Sequence, residues 1–206
     1  TFLARLNEAS RDGAVREHEL ILAFARRRHP ELKEIDITSR GYWYEQFRRS
    51  AFEFDSQSVR PYFPYDKVEA GVLKTAARLF KVEFRPSTAP AWDPAVSVFE
   101  VHEGGKLVGR FYLDMHPREG KFNHAAAFPL RGVSRLTGRT PLSALVTNFN
   151  RDGLNHDELE TLMHEFGHVL HGVLSRADYN PHAGPSVNGD FVEAPSQMFE
   201  EWARRE

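Results

Sequence analysis

The sequence contains no cysteine among its 206 residues. This absence excludes disulfide bonds and thiolate metal ligands, so any metal site must be built from histidine and carboxylate side chains. It also favours a reducing compartment, and we therefore expect a cytoplasmic protein.

Long hydrophobic runs and a strong net charge are also absent. No apolar stretch approaches the roughly 20 residues that cross a bilayer, and the N-terminal segment lacks the apolar run of a signal peptide. With 27 Lys and Arg against 29 Asp and Glu, the net charge of -2 provides no overall basic field for nucleic acid or an anionic membrane. We expect neither nucleic acid nor a membrane as a partner.

The apolar residues recur with a helical period in the first part of the chain. This periodicity predicts an amphipathic helix over residues 7–28 and a second helix after the cap Thr38–Ser39. A third helix is predicted from a cap at Asp66 to about Lys81, with an apolar stripe along one face.

The pattern changes to short strands in the middle of the chain. Segments 96–103 and 106–115 are rich in Val, Phe and Tyr. They flank Gly104–Gly105, two residues that readily adopt a positive φ, which predicts a β-hairpin. Further strands are predicted at 124–130 and 142–149.

The strongest chemical signal is the pentapeptide His164-Glu165-Phe166-Gly167-His168, which lies in a segment with helical apolar spacing. At about 3.6 residues per turn, His164 and His168 share one helix face, so both imidazoles can bind one Zn²⁺. Glu165 is offset toward the open side of that site and can act as the general base for a zinc-activated water. Two histidines and one glutamate at fixed positions recur by chance in roughly one in a hundred chains of this size, so an accidental match stays open.

A third ligand is needed because catalytic zinc commonly takes three protein ligands and keeps one position open. Glu193 is the best candidate, since it belongs to a second amphipathic segment that a loop containing Gly and Pro separates from the first. Two antiparallel helices could then bring His164, His168 and Glu193 together around one zinc ion per chain. The alternative is that Glu193 forms a solvated acidic face with Glu200 and Glu201.

Three neighbouring residues carry further expectations. His171 stands two turns from His164, about 10.5 Å along the helix axis, which is too far to share its ion, so we expect a packing or substrate-side role. Glu160 could accept the second ring N–H of His164 and fix its tautomer, or could be an ordinary exposed carboxylate. The lack of a side chain at Gly167 predicts that another backbone approaches this helix closely.

With these residues, the chain resembles the thimet oligopeptidase family of zinc metallopeptidases, which includes neurolysin, oligopeptidase A and dipeptidyl carboxypeptidase. The resemblance rests on three blocks of sequence. They are GRFYLDMHPREGKFNHAAAF from Gly109, HEFGHVLHGVLS from His164 and DFVEAPSQMFEEW from Asp190. The family pattern implies His164, His168 and Glu193 as zinc ligands and Glu165 as the catalytic base.

The resemblance also implies a zincin-like fold and the cleavage of short peptides. Family members are largely helical, with a small sheet beside a deep channel that folded proteins cannot enter. They are several times longer than this chain and carry, well past the third ligand, a segment whose Tyr and His side chains stabilise the oxyanion and bind substrate. We therefore expect a truncated catalytic fragment with weak or no activity in isolation.

We expect one partial catalytic domain over residues 1–206, with an α+β, mainly helical fold. Its parts would be a helical scaffold at 1–90, a small sheet at 91–150 and the zinc-site helices at 151–206. The small β-sheet would thus precede the two helices that carry the ligands.

Two functional hypotheses follow from this combination. In the first, the chain is part of a zinc metallo-oligopeptidase that hydrolyses short peptides with a zinc-activated water. In the second, it is a non-catalytic zinc-binding or interaction fragment, in which the metal only braces two helices. An open fourth position on the metal favours the first hypothesis, and a protein side chain in that position favours the second.

Overall fold

The computed structural model describes residues 1–204, which form two compact units. The first unit is Thr1–Ser58, and the second begins at Val59. The described part contains five α-helices, two short 3₁₀ helices and one five-stranded sheet, so the α+β fold class is confirmed. Within that part, no helix is both long and apolar enough to cross a membrane. The zincin-like arrangement and the division at residues 90 and 150 stay predictions.

The first unit consists of two α-helices. Helix α1, Phe2–Arg28, begins earlier than predicted, and the Thr1 side chain caps it by accepting a hydrogen bond from the backbone N–H of Ala4. Helix α2, Arg40–Phe52, begins directly after Ser39, as the sequence predicts. The core of this unit is small. It consists of Ile21, Phe24, Ala25 and Trp43.

The second unit contains three further α-helices. They are α3 Tyr65–Phe80, α4 His156–Val173 and α5 Ala194–Arg204, with a 3₁₀ helix at Asn180–His182. The other 3₁₀ helix, Ser56–Tyr62, begins in the first unit and ends in the second. The predicted cap of α3 is wrong, because Pro64 occupies the N-cap position and Asp66 lies within the first turn. Pro64 has no backbone N–H to leave unpaired at a helix start, and the negative charge of Asp66 is favourable near the N-terminus of the helix dipole.

Five strands form one mixed sheet in the second unit. They are β1 Glu83–Pro86, β2 Ser97–Glu103, β3 Lys106–Asp114, β4 Ala126–Arg131 and β5 Leu142–Val146. The order across the sheet is β1-β2-β3-β5-β4. Strands β3 and β5 are parallel, and all other neighbours are antiparallel.

The predicted hairpin is confirmed, whereas strand β1 is not predicted by the sequence pattern. Gly104 and Gly105 adopt φ values of 56° and 78°, so the two-residue turn between β2 and β3 uses the left-handed region that glycine tolerates. Strand β1 falls within the segment for which the sequence predicts a helical scaffold. It has only four residues and ends at Pro86, which is compatible with its place at the sheet edge.

Helix α4 packs against the sheet and supplies a large part of the core. Phe166 contacts Phe111 edge to face, with ring centroids 5.4 Å apart. At the end of the helix, a Cβ added at Gly109 would lie 3.1 Å from the carbonyl oxygen of Val173, so α4 and β3 are in close contact. The helix that carries the histidine motif therefore has a fixed position on the sheet.

A buried ion-pair network holds the end of β3. Asp114 is 3% exposed, and its carboxylate accepts hydrogen bonds from Arg118, Lys121 and Trp92. Burial raises the pKa of this carboxyl, but the three hydrogen bonds outweigh burial and lower it to about 2. Lys121 is equally buried and also donates to three backbone carbonyl oxygens, so the network satisfies both charges.

Candidate metal centre

Helix α4 has a well-defined start, which sets the register of its histidines. The Asn155 side chain accepts a hydrogen bond from the backbone N–H of Glu158, and the Glu158 carboxylate accepts one from the backbone N–H of Asn155, both at 2.8 Å. These reciprocal bonds form a capping box. Arg60 also donates to the Glu158 carboxylate, at 2.5 Å. From this start, His164 and His168 follow one turn apart on the same face.

The first turn of α5 packs directly on α4 at Gly167. A Cβ added at this glycine would lie 2.7 Å from the Cα of Ser196, a distance that side chains essentially never reach. The predicted close approach of a second backbone at Gly167 is therefore confirmed. This contact brings the start of α5 beside the two histidines.

Glu193 lies in a turn immediately before α5, rather than inside a helix as predicted. Its carbonyl oxygen accepts a helical hydrogen bond from the N–H of Gln197 at 2.9 Å, as an N-cap residue does. Pro195 fits the first turn because it has no N–H to leave unpaired. The Ser196 hydroxyl lies 2.9 Å from Oε2 of Glu193 and lowers the pKa of that carboxyl, and the two nearby histidines lower it further.

Three candidate ligand atoms converge in one place. The Nε2 atoms of His164 and His168 lie 3.2 Å apart. Oε2 of Glu193 lies 3.2 Å from the first nitrogen and 3.0 Å from the second. A tetrahedral zinc ion with bonds of about 2.0–2.1 Å would separate its ligand atoms by about 3.3 Å, so the triangle has the size that such an ion requires. Two imidazole nitrogens and one carboxylate oxygen are also donor types that zinc accepts.

Glu165 follows His164 on the partly exposed side of α4. No described residue forms a hydrogen bond or an ion pair with its carboxylate. Together with His164 it lines an open cavity of about 420 Å³. The other lining residues are Asp157, Glu160, Thr161 and Glu200. The cavity beside the histidine is therefore acidic and open to solvent.

The second ring nitrogen of His164 is bound by a residue that the sequence pattern does not predict. Nδ1 of His164 lies 2.5 Å from Oε1 of Glu200, which belongs to α5. Glu160, one turn before His164 on α4, forms an ion pair with Arg204 instead. Of the two alternatives for Glu160, the contact with His164 is not formed, because α5 brings Glu200 and Arg204 to that face. A contact between two helices has no signature in the periodicity of either one.

His171 lies outside the group formed by His164, His168 and Glu193. Its Nδ1 atom is buried and has no hydrogen-bond partner within residues 1–204. Burial lowers the pKa of this imidazole, and the charge of His168 lowers it further. The side chain lines a groove that Gly167 also lines, and its packing role stays a prediction.

Comparisons with known proteins agree on one family. The profile of Peptidase family M3 matches residues 1–206. The thimet-like oligopeptidase of Dictyostelium discoideum is 38% identical over 73% of this chain, and oligopeptidase A of Salmonella typhimurium is 34% identical over 98% of it. A probable thimet oligopeptidase of Arabidopsis thaliana is 31% identical over 98%. The aligned parts make up 24%, 31% and 30% of these three relatives, so the chain spans less than a third of their length.

Proposed function

The chain belongs to peptidase family M3, and from this premise we propose that it carries the zinc centre of a metallo-oligopeptidase. The observation that carries the proposal is the triangle of His164 Nε2, His168 Nε2 and Glu193 Oε2, with sides of 3.0–3.2 Å. The reaction would be the hydrolysis of peptide bonds in short peptides.

In this proposal, His164, His168 and Glu193 hold one zinc ion per chain. Zinc, when bound, supplies a Lewis acid that activates water and polarises the scissile carbonyl. Both imidazoles present Nε2 to the site, and Glu193 contributes one carboxylate oxygen. The Glu193 side chain is 48% exposed, so solvent and an extended peptide can reach this side of the centre.

Glu165 is the proposed general base. Its carboxylate lines the same cavity as His164, and it has no hydrogen-bond partner within the described part of the chain. It can therefore take a proton from the attacking water and return it to the leaving amine. An ion pair stabilises the charged form of a carboxylate and makes it a weaker base. Glu165 has no ion-pair partner among the described residues.

Short peptides are the proposed substrates because the relatives are named oligopeptidases. Since the chain spans less than a third of their length, its own turnover is part of the proposal. A cytoplasmic location belongs to the same proposal and is supported by the absence of cysteine.

The first test measures zinc content per chain and the cleavage of a quenched fluorescent peptide, before and after a chelator is added. One zinc per chain with chelator-sensitive cleavage supports the peptidase. One zinc without cleavage supports the alternative, a zinc-binding fragment in which the metal braces α4 against α5. A chain that binds no zinc when the metal is supplied would overturn the ligand assignment.

A further inference from the structure

The carboxylate of Glu200 lies behind His164, on the side of the ring that faces away from the other candidate ligands. Its Oε1 atom is 2.5 Å from Nδ1, whereas Nε2 of the same ring faces His168 and Glu193. The Glu200 side chain is only 15% exposed. This distance is typical of a strong, charge-assisted hydrogen bond, and both side chains are partly buried.

Resting on the proposed zinc centre, we propose that Glu200 is a positioning residue. It holds His164 in the tautomer that carries its proton on Nδ1, directs the free Nε2 lone pair at the metal position, and thereby strengthens zinc binding. Glu200 lies outside the histidine motif and is not one of the three proposed zinc ligands.

The tautomer follows from hydrogen-bond chemistry. An ionised carboxylate can only accept, so a contact of 2.5 Å requires the imidazole proton on Nδ1. On the other side of the ring, Nε2 lies 3.2 Å from Oε2 of Glu193. The shorter contact outweighs the longer one, and the neutral ring therefore keeps its proton on the Glu200 side. That arrangement leaves Nε2 as the metal donor.

Glu200 is itself held in place by Arg204, one turn later on α5. Nη2 of Arg204 lies 3.3 Å from Oε2 of Glu200, the oxygen that does not contact His164. The same guanidinium pairs with Glu201 at 2.9 Å and with Glu160. Each oxygen of Glu200 thus has its own partner, and the carboxylate is fixed relative to the ring.

Two other roles for Glu200 fit the geometry less well. As a metal ligand it is on the wrong side of the ring, and it is not in the group of donor atoms that lie within 4.8 Å of one another. As a general base it would have to give up the bond to His164, whereas Glu165 has no such bond to break. The contacts of Glu200 with His164 and Arg204 therefore fit a residue that positions the His164 ring.

Three variants of this chain test the proposal: Glu200→Gln, Glu200→Ala and the matched control Glu201→Gln. Glu201 is the next residue on α5 and shares the contact with Arg204, but it forms no bond to His164 within the described residues. Two readouts are needed. The tautomer of His164 is measured in the metal-free chain by ¹⁵N NMR, at a pH where the spectrum shows a single proton on the ring. Zinc affinity is measured by competition with a chelator.

We expect a proton on Nδ1 of His164 in the parent and in Glu201→Gln, and a shift toward the Nε2 tautomer in Glu200→Ala. Zinc affinity should fall by about 10- to 100-fold in Glu200→Ala, less in Glu200→Gln, whose amide oxygen can still accept, and not at all in Glu201→Gln. Circular dichroism and unfolding of the metal-free variants separate this loss from misfolding.

A neutral His164 ring with its single proton on Nε2 in the parent, or parental zinc affinity in Glu200→Ala, would overturn the role of Glu200. A parent chain that binds zinc but cleaves no peptide would contradict the peptidase alone. In that case the tautomer of His164 and the zinc affinities of the variants would still test the positioning role of Glu200.

Discussion

Replacing Gly167 with alanine should weaken zinc binding at the proposed site more than it destabilises the fold. The added Cβ would lie 2.7 Å from Cα of Ser196, and ordinary contact begins at 3.4 Å, so the start of α5 must move by about 0.7 Å. Glu193 precedes Ser196 by less than one turn and would move with it. Metal–ligand distances tolerate only about 0.2 Å, so we expect zinc affinity to fall by about 10- to 100-fold.

The effect of this substitution on stability should be smaller, because two contributions oppose each other. Overpacking costs about 1–3 kcal/mol, whereas replacing glycine by alanine inside a helix gains about 1 kcal/mol. The free energy of unfolding of the metal-free chain should therefore fall by about 0–2 kcal/mol. Chelator competition gives the zinc affinity, and urea unfolding of the metal-free chain gives the stability.

Gly71→Ala is the matched control for this experiment. Gly71 lies in α3, and a Cβ added there would have no heavy atom within 4 Å. This variant should gain up to about 1 kcal/mol and bind zinc like the parent. If Gly167→Ala behaved like Gly71→Ala in both assays, the close packing of α5 on α4 could not be what sets the ligand geometry.

Three further predictions address the catalytic base, a ligand and the Asp114 network. Glu165→Gln should keep one zinc per chain and lose any peptide cleavage, because it removes the base and no ligand; cleavage at the parental rate would contradict this role. His168→Ala should lose zinc, as measured by metal analysis after dialysis. The control His182→Ala, at an exposed position, should retain zinc, and equal zinc contents in the two variants would disprove ligation by His168. The pKa of Asp114 is lowered from 3.8 to about 2 in the folded chain. The ionised carboxylate therefore stabilises the fold by about 2 kcal/mol above about pH 4, and this contribution is lost as the pH falls toward 2. Asp114→Asn should be less stable at neutral pH and should lack this part of the acid unfolding profile, and an unchanged profile would exclude the network as its source.

Relationships within one element could be predicted from the sequence. His164 and His168 are neighbours because the helix repeat alone brings positions four apart onto one face, and α4 forms where its apolar spacing predicts it. The hairpin at Gly104–Gly105 is equally local, since the turn type follows from two residues that tolerate positive φ.

Relationships between elements could not be predicted in the same way. The amphipathic pattern of the last segment places Glu193 within a helix, but the helix begins one residue later, and only the packing at Gly167 brings this side chain to the histidines. Glu200 approaches His164 from a different helix, so no spacing within α4 indicates it. Strand β1 is too short for a periodic signal and depends on its pairing with β2.

The strand order constrains the sequence of events during synthesis. Strand β4 leaves the ribosome before β5, yet it lies beyond β5 at the edge of the sheet, so it has no neighbour in the sheet until β5 arrives. Strand β5 must in turn pair with β3 across a long crossover, and such non-local pairing is slow. Helix α4 packs on the strands that this step completes. In a nascent chain that ends before Leu142, the edges of β3 and β4 that will pair with β5 therefore lack their partner. Helix α4, which carries the two candidate histidine ligands, follows β5 in the chain and packs on the completed sheet.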